Sequence, residues 1–221
     1  MDYIKQHDAI SKKPDLNLPL EESFIFPTAI YHLKAASMPE TVSRKNIVDF
    51  ILKRRIIDPG GRVKSNRLGW QSRDLVEDSL KSPDLISLWD TVLDCTKAIA
   101  AKQSLSDQYE FFVGSAWANI NQAHNQYNVS HCHPGTYYAA IYYVQCGPGS
   151  GDLVINDPRP AASFSLPHNS QDDPIYNMPS INMAPVEGDL VLMPGWLMHA
   201  VLGNDGDDAE RLVIASNVVI R

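Results

Sequence analysis

The hydrophobic pattern changes period near residue 105. Before it, Val48, Ile51 and Arg55 recur at helical spacing, and Ile47 and Phe50 widen the apolar face. Ser37-Met38-Pro39-Glu40 predicts the start of this helix, with Ser37 capping and Glu40 reaching back. Asp58-Pro59-Gly60-Gly61 ends it. A second helix starts at Ser82-Pro83, with serine as cap and proline at the first helical position. Leu85, Leu88, Trp89, Val92, Thr96 and Ile99 trace one face at spacings of three and four. Such a stripe packs against a sheet and carries no chemistry.

From Tyr109 onward the runs are short and rich in Val, Ile, Tyr and Phe, with Gly, Pro, Asn or Asp between them. They fall near 109–120, 126–133, 137–145, 151–156, 181–186, 189–193, 197–202 and 211–220. An earlier aromatic stretch, Phe24 to Tyr31, predicts a first strand or strand pair. Many short strands at this spacing predict a mainly β (α+β) protein, a sandwich or jelly roll with the N-terminal helices packed on the sheet. The whole chain, 1–221, reads as one domain: a polar arm at 1–23, helical support at 24–105 and the β core at 106–221. One connection is long, from Pro158 to Ser180, and has the composition of a lid or binding loop.

Composition narrows the classes. The chain has 221 residues and a net charge of -7, with 19 Lys and Arg against 26 Asp and Glu. A phosphate backbone demands a basic face, so nucleic-acid binding is not expected. The three cysteines Cys95, Cys132 and Cys146 are too few for a disulfide framework. No apolar run reaches membrane-spanning length, and the N-terminus is not a secretory signal, so a cytoplasmic setting without membrane partners is expected.

The chemistry concentrates at His131-Cys132-His133, with His199 and Arg211 far downstream. In a strand, residues i and i+2 face the same way, so His131 and His133 can aim two imidazoles at one point. Cys132 would then point away, as a small buried hydrophobe. A third imidazole from a distant strand would complete one face of a metal's coordination sphere and leave the opposite positions open.

The segments SNRLGWQSRDL, WANINQAHNQYNVSHCHPGTYYAAIYYVQCGPGSGDLVINDPRP, EGDLVLMPGWLMHAV and RLVIASN resemble the 2-oxoglutarate/Fe(II)-dependent oxygenases of bacteria and their phages. The resemblance covers residues 60 to 221. It implies a double-stranded β-helix (a cupin-like jelly roll) with Fe(II) at its open mouth, 2-oxoglutarate as co-substrate and O2 as oxidant. His199 is then a metal ligand. The wider superfamily carries His-x-Asp or His-x-Glu where this chain has His131-Cys132-His133. Three shells remain open. All three histidines bind; or one of the pair binds and water or a halide fills the vacancy; or a carboxylate such as Asp157 enters. The three-histidine shell is favoured. Being neutral, it would leave Fe(II) its full double charge for a dianionic co-substrate.

The same resemblance makes Arg211 the anchor for the far carboxylate of 2-oxoglutarate, where a guanidinium fork matches the carboxylate bidentately. By parity Tyr142 would face the cavity and donate its hydroxyl to that carboxylate; Tyr143 replaces it if the register slips by one. Asn119 would hold the co-substrate or support a ligand. Arg159 is expected to fasten the long loop through a salt bridge, or else to meet an acidic substrate. His124 and His168 are loop histidines without expected partners, and His7 and His32 are expected at the surface. The stretch Asn66 to Arg73 would shape the substrate pocket, although Gly69-Trp70 could equally be a turn over a buried indole.

The expected function is hydroxylation of an unactivated C–H bond in an amino acid, a peptide or a small metabolite, with a homodimer compatible. Two alternatives stand beside it: a three-histidine cupin-type metalloenzyme without 2-oxoglutarate, and a non-catalytic jelly-roll binding module. Arg211 discriminates, because only the leading reading needs a carboxylate anchor beside the metal.

Overall fold

The computed structural model describes residues 19, 21, 26–105, 108–122, 125–159, 179–204 and 210–221. Most of the expected arm, the long connection after Arg159, and His7, His124 and His168 lie outside the described residues. The elements are β1 (Tyr31–Leu33), α1 (Arg44–Ile57), β2 (Asn66–Arg67), β3 (Trp70–Gln71), α2 (Pro83–Lys102), β4 (Phe111–Asn121), β5 (Tyr127–His131), β6 (Tyr138–Gln145), β7 (Leu153–Asn156), β8 (Ser180–Met183), β9 (Leu190–Pro194), β10 (His199–Val201) and β11 (Arg211–Ile220).

They form two antiparallel sheets. The larger has the order β1-β9-β6-β11-β4-β3, and the smaller β2-β5-β10-β7-β8. The fold is a double-stranded β-helix, a jelly roll, with both helices packed on the larger sheet. That sheet is covered on both faces. Ala140, Tyr142, Leu192, Leu212 and Ile214 point outward against Ile47, Ile51, Leu88 and Val92 of the helices. Ala139, Ile141, Tyr143, Val191 and Val213 point inward against Leu153, Ile155 and Val201 of the smaller sheet. β6 is therefore apolar on both sides and reads YAAIYYVQ without alternation. Fully burying an aliphatic side chain such as Ile47 or Ile51 contributes roughly 1.5–3 kcal/mol each.

α2 begins at Pro83 as the sequence indicates, although the Ser82 side chain makes no capping hydrogen bond. α1 begins later than expected. Residues Ala35–Ser37 form a short 3-10 turn, and the N-cap is Ser43, whose Oγ accepts from the backbone N of Asn46. Asp84 of α2 decides this start: its carboxylate accepts from the backbone N of Ser43 and from the side chain of Asn46. The first strand also lies further on. Pro27 to Ile30 have no regular structure, and β1 pairs with β9 only from Tyr31. Asp189 clamps the end of β1, accepting from Lys34 Nζ at 2.8 Å and from the backbone N of Ala35 at 2.9 Å.

Trp70 is a structural indole, donating from Nε1 to the carbonyl of Asp58 at 2.9 Å. Asn66 is likewise internal bracing: its amide accepts from Lys64 N and donates to the carbonyls of Arg62 and Gly69. Gly69 is required at this turn, because a Cβ there would lie 2.2 Å from Asn121 Oδ1. Among the described residues, no helix is long and apolar enough to cross a membrane.

Candidate metal centre

His131 closes β5 and His199 opens β10, and the two are direct cross-strand partners. His133 lies beyond the end of β5, so strand parity does not place it, contrary to the expectation from the sequence. A turn does. The backbone N of His133 donates to Gly195 O at 2.7 Å, and Thr136 N donates back to His133 O at 3.1 Å. Gly195 permits this approach, since a Cβ there would meet Thr136 O at 2.2 Å. The Pro194-Gly195-Trp196 turn is thus clipped to the His-Cys-His segment.

The three rings converge. Their ligand nitrogens all lie within 4.8 Å of one another. Ring centroids are 4.4 Å apart for His131 and His199, 5.2 Å for His131 and His133, and 5.1 Å for His133 and His199. The Nδ1 of His131 faces Val129 O at 2.7 Å, and the Nδ1 of His199 faces Leu197 O at 2.8 Å. A backbone carbonyl can only accept, so both rings carry their proton on Nδ1 and present a lone pair on Nε2. His133 Nε2 stands 3.3 Å from His199 Nε2. Burial disfavours the charged form of all three. It lowers the pKa of His131 and His133, and takes His199 down to about 4 despite the opposing Leu197 hydrogen bond. Three neutral imidazoles around one point suit a ferrous ion, and the residues fit such a group.

Asp157 does not complete this shell. Its carboxylate is held by Arg159, two residues on, at 2.8 and 3.0 Å. Among the described residues, the three histidines are the one group of three or more metal-ligating side chains so placed. Cys132 is half-buried and lies outside that group. His32 is exposed, on β1.

Arg211 opens β11 on its inward face and is only 1% exposed. Among the described residues it has no salt-bridge partner, and its Nε has no hydrogen-bond partner. Its guanidinium lies over the ring of Tyr143, 5.4 Å from the centroid. Tyr143 is therefore the tyrosine that packs on the inward face beside Arg211. Burial pushes its pKa up, and Arg211 opposes that through charge and a hydrogen bond. Tyr142 corrects the expectation from the sequence: it pairs across from Ile214 and faces α1, whereas Tyr143 pairs across from Val213. Asn119 is buried opposite Val213, and its Oδ1 has no partner among the described residues. A narrow cavity runs from the three imidazoles to Arg211 between Trp117, Asn119, Asn128, Val213 and Ala215.

Two residues escaped the sequence reading. Trp117 stacks on His133 with centroids 5.6 Å apart and planes at 17°. Asn217 places its Oδ1 2.6 Å from His133 Nδ1. Parity from Arg211 along β11 (Val213, Ala215, Asn217) was the available signal for the second.

Residues 115–217 match the family model described as "Putative 2OG-Fe(II) oxygenase", so this segment is similar to that family. No curated protein matches the chain. Similar solved structures include a Pseudomonas putida prolyl-4-hydroxylase (14% identity, 88% of this chain and 94% of that one, TM-score 0.58). They also include the α-ketoglutarate-dependent epimerase SnoN from nogalamycin biosynthesis (12%, 87% and 76%, TM-score 0.56). A third is HygX from Streptomyces hygroscopicus with nickel and 2-oxoglutarate bound (14%, 87% and 82%, TM-score 0.52). At these identities the likeness establishes the jelly-roll fold.

Proposed function

We propose that the protein hydroxylates an unactivated C–H bond of an amino acid, a peptide or a small metabolite, using Fe(II), 2-oxoglutarate and O2. His131, His133 and His199 hold the metal. Arg211 receives the far carboxylate of 2-oxoglutarate, with the Tyr143 hydroxyl as second donor and Asn119 beside them. The whole described chain serves this one site as a single domain, the helices bracing the sheet that carries Arg211 and Tyr143.

One observation carries the reading: a buried guanidinium, 1% exposed and without a salt bridge among the described residues, shares a cavity with three converging imidazoles. A charge in that position is costly unless an anion joins it. A carboxylate is the planar anion that its fork fits. A cupin-type metalloenzyme without 2-oxoglutarate leaves this residue without a role.

Bound Fe(II) would supply the redox chemistry that couples decarboxylation of 2-oxoglutarate to oxidation of the substrate. The chain's own part is orientation and exclusion of water. The backbone carbonyls of Val129 and Leu197 hold two imidazoles with Nε2 turned inward. Arg211 and Tyr143 fix one end of the co-substrate, so that its other end lies toward the rings. The apolar lining of Ala139, Ile141 and Val213 keeps the space dry.

Incubation with Fe(II) and 2-oxoglutarate in air tests the proposal. Succinate should form, and should form more slowly in the Arg211→Ala variant at limiting 2-oxoglutarate. No succinate from the iron-loaded protein, with a panel of amino acids and peptides present, would contradict it.

A further inference from the structure

The three imidazoles are not held alike. His131 and His199 each give their Nδ1 proton to a backbone carbonyl two residues upstream, and no side-chain change can reverse that. His133 instead faces a side-chain amide, that of Asn217, which can present either an acceptor or a donor. If Oδ1 faces the ring, Nδ1 is protonated and Nε2 offers a lone pair to the cavity. If the amide is reversed, the proton moves to Nε2, and the ring can only donate to His199 Nε2, which stands 3.3 Å away. The second state has no lone pair for a metal.

The structure shows the first arrangement. Asn217 Oδ1 is 2.6 Å from His133 Nδ1, while Asn217 Nδ2 donates to Ser115 Oγ at 3.1 Å. Ser115 and Asn217 are cross-strand partners on β4 and β11. Ala215, the inward residue before Asn217, is paired with Trp117, and that indole stacks on the other side of the relay against the His133 ring. Asn217 also shares the inward face of β11 with Arg211, so one strand carries both the carboxylate anchor and the brace of a metal ligand.

We infer that Asn217, held by Ser115, is a positioning residue that sets the tautomer of His133 and so decides whether the third imidazole can bind metal. This rests on the three-histidine reading above. Residues that orient a ligand in this way typically matter 10–100-fold in metal affinity.

Two measurements test it. The first is long-range 1H–15N NMR of the metal-free protein at neutral pH, which reads the tautomer of each histidine directly. His133 should carry its proton on Nδ1 in wild type and in Asn217→Asp, which keeps the acceptor, and shift toward Nε2 in Asn217→Leu. A wild-type His133 protonated on Nε2, or a tautomer indifferent to Asn217→Leu, overturns the inference. The second is anaerobic titration with Co(II), followed by its visible spectrum. Asn217→Leu should bind Co(II) about 10–100-fold more weakly with a changed spectrum, while Asn217→Asp should restore both affinity and band shape. If Asn217→Leu does not fold, Ser115→Ala decides: an unchanged affinity and spectrum there contradicts the relay. The two readings fail separately. Absence of Co(II) binding in wild type defeats the metal site, whereas tight binding that ignores Asn217 defeats only the positioning role.

Discussion

His199 lies directly across the β10–β5 pair from His131, and its Nε2 faces that of His133 at 3.3 Å. Burial holds all three rings neutral, His199 most clearly, with its pKa lowered to about 4. A depressed histidine pKa means that the unfolded chain binds more protons than the folded one between the two values. The contribution of His199 to stability is therefore fully present above pH 6.5 and is lost as the pH falls toward 4, and His131 and His133 act in the same direction. Thermal unfolding in the presence of a chelator should show the melting temperature falling steadily across that interval. Metal affinity should fall in the same range, because protons and metal compete for Nε2.

Arg211 is held without an ion pair among the described residues, so its removal should separate stability from binding. Arg211→Met should raise the melting temperature of the metal-free protein by a few degrees, because an uncompensated buried charge disappears. The same change should weaken 2-oxoglutarate binding about 100-fold, the scale of losing a desolvated charge pair. Metal binding should be nearly unchanged. Calorimetric titration with Co(II) and then 2-oxoglutarate checks both; equal loss of the two affinities would contradict the assigned role.

The two neighbouring tyrosines make a sharper comparison. Tyr143→Phe should raise the dissociation constant for 2-oxoglutarate by roughly 3–10-fold, about the net worth of one hydrogen bond. Tyr142→Phe should leave it unchanged, since that ring packs under α1. A larger effect at Tyr142 would reverse the facing of β6.

Away from the site, Ile51 is fully buried between α1 and the larger sheet. Ile51→Ala should cost about 2–5 kcal/mol in chemical unfolding. Residual folded protein should keep its metal affinity, because Ile51 packs on the outward face of the larger sheet while His131 and His199 belong to the smaller one.

The strands were legible because turn residues punctuate each apolar run, and α2 because its face is regular over five turns. Three features were not. β6 is buried on both faces, so its sequence contains no alternation from which to choose between Tyr142 and Tyr143. The start of α1 depends on Asp84, which is distant in sequence, and local capping patterns at Ser37 cannot reveal it. The position of His133 depends on a turn bonded to Gly195, so parity gave the right convergence for the wrong reason. Asn217 was hidden because an amide in a strand looks like packing until its cross-strand neighbours are known.

Anaerobic titration of the Fe(II)-loaded protein with 2-oxoglutarate, followed by visible absorption, tests whether one pocket binds Fe(II) through three imidazoles and 2-oxoglutarate through Arg211. A metal-to-ligand charge-transfer band should grow to saturation at one 2-oxoglutarate per chain, and should require far more co-substrate in Arg211→Ala. Failure of the band to appear in wild type that binds Fe(II), or its appearance unchanged in a variant lacking His199, would contradict the account.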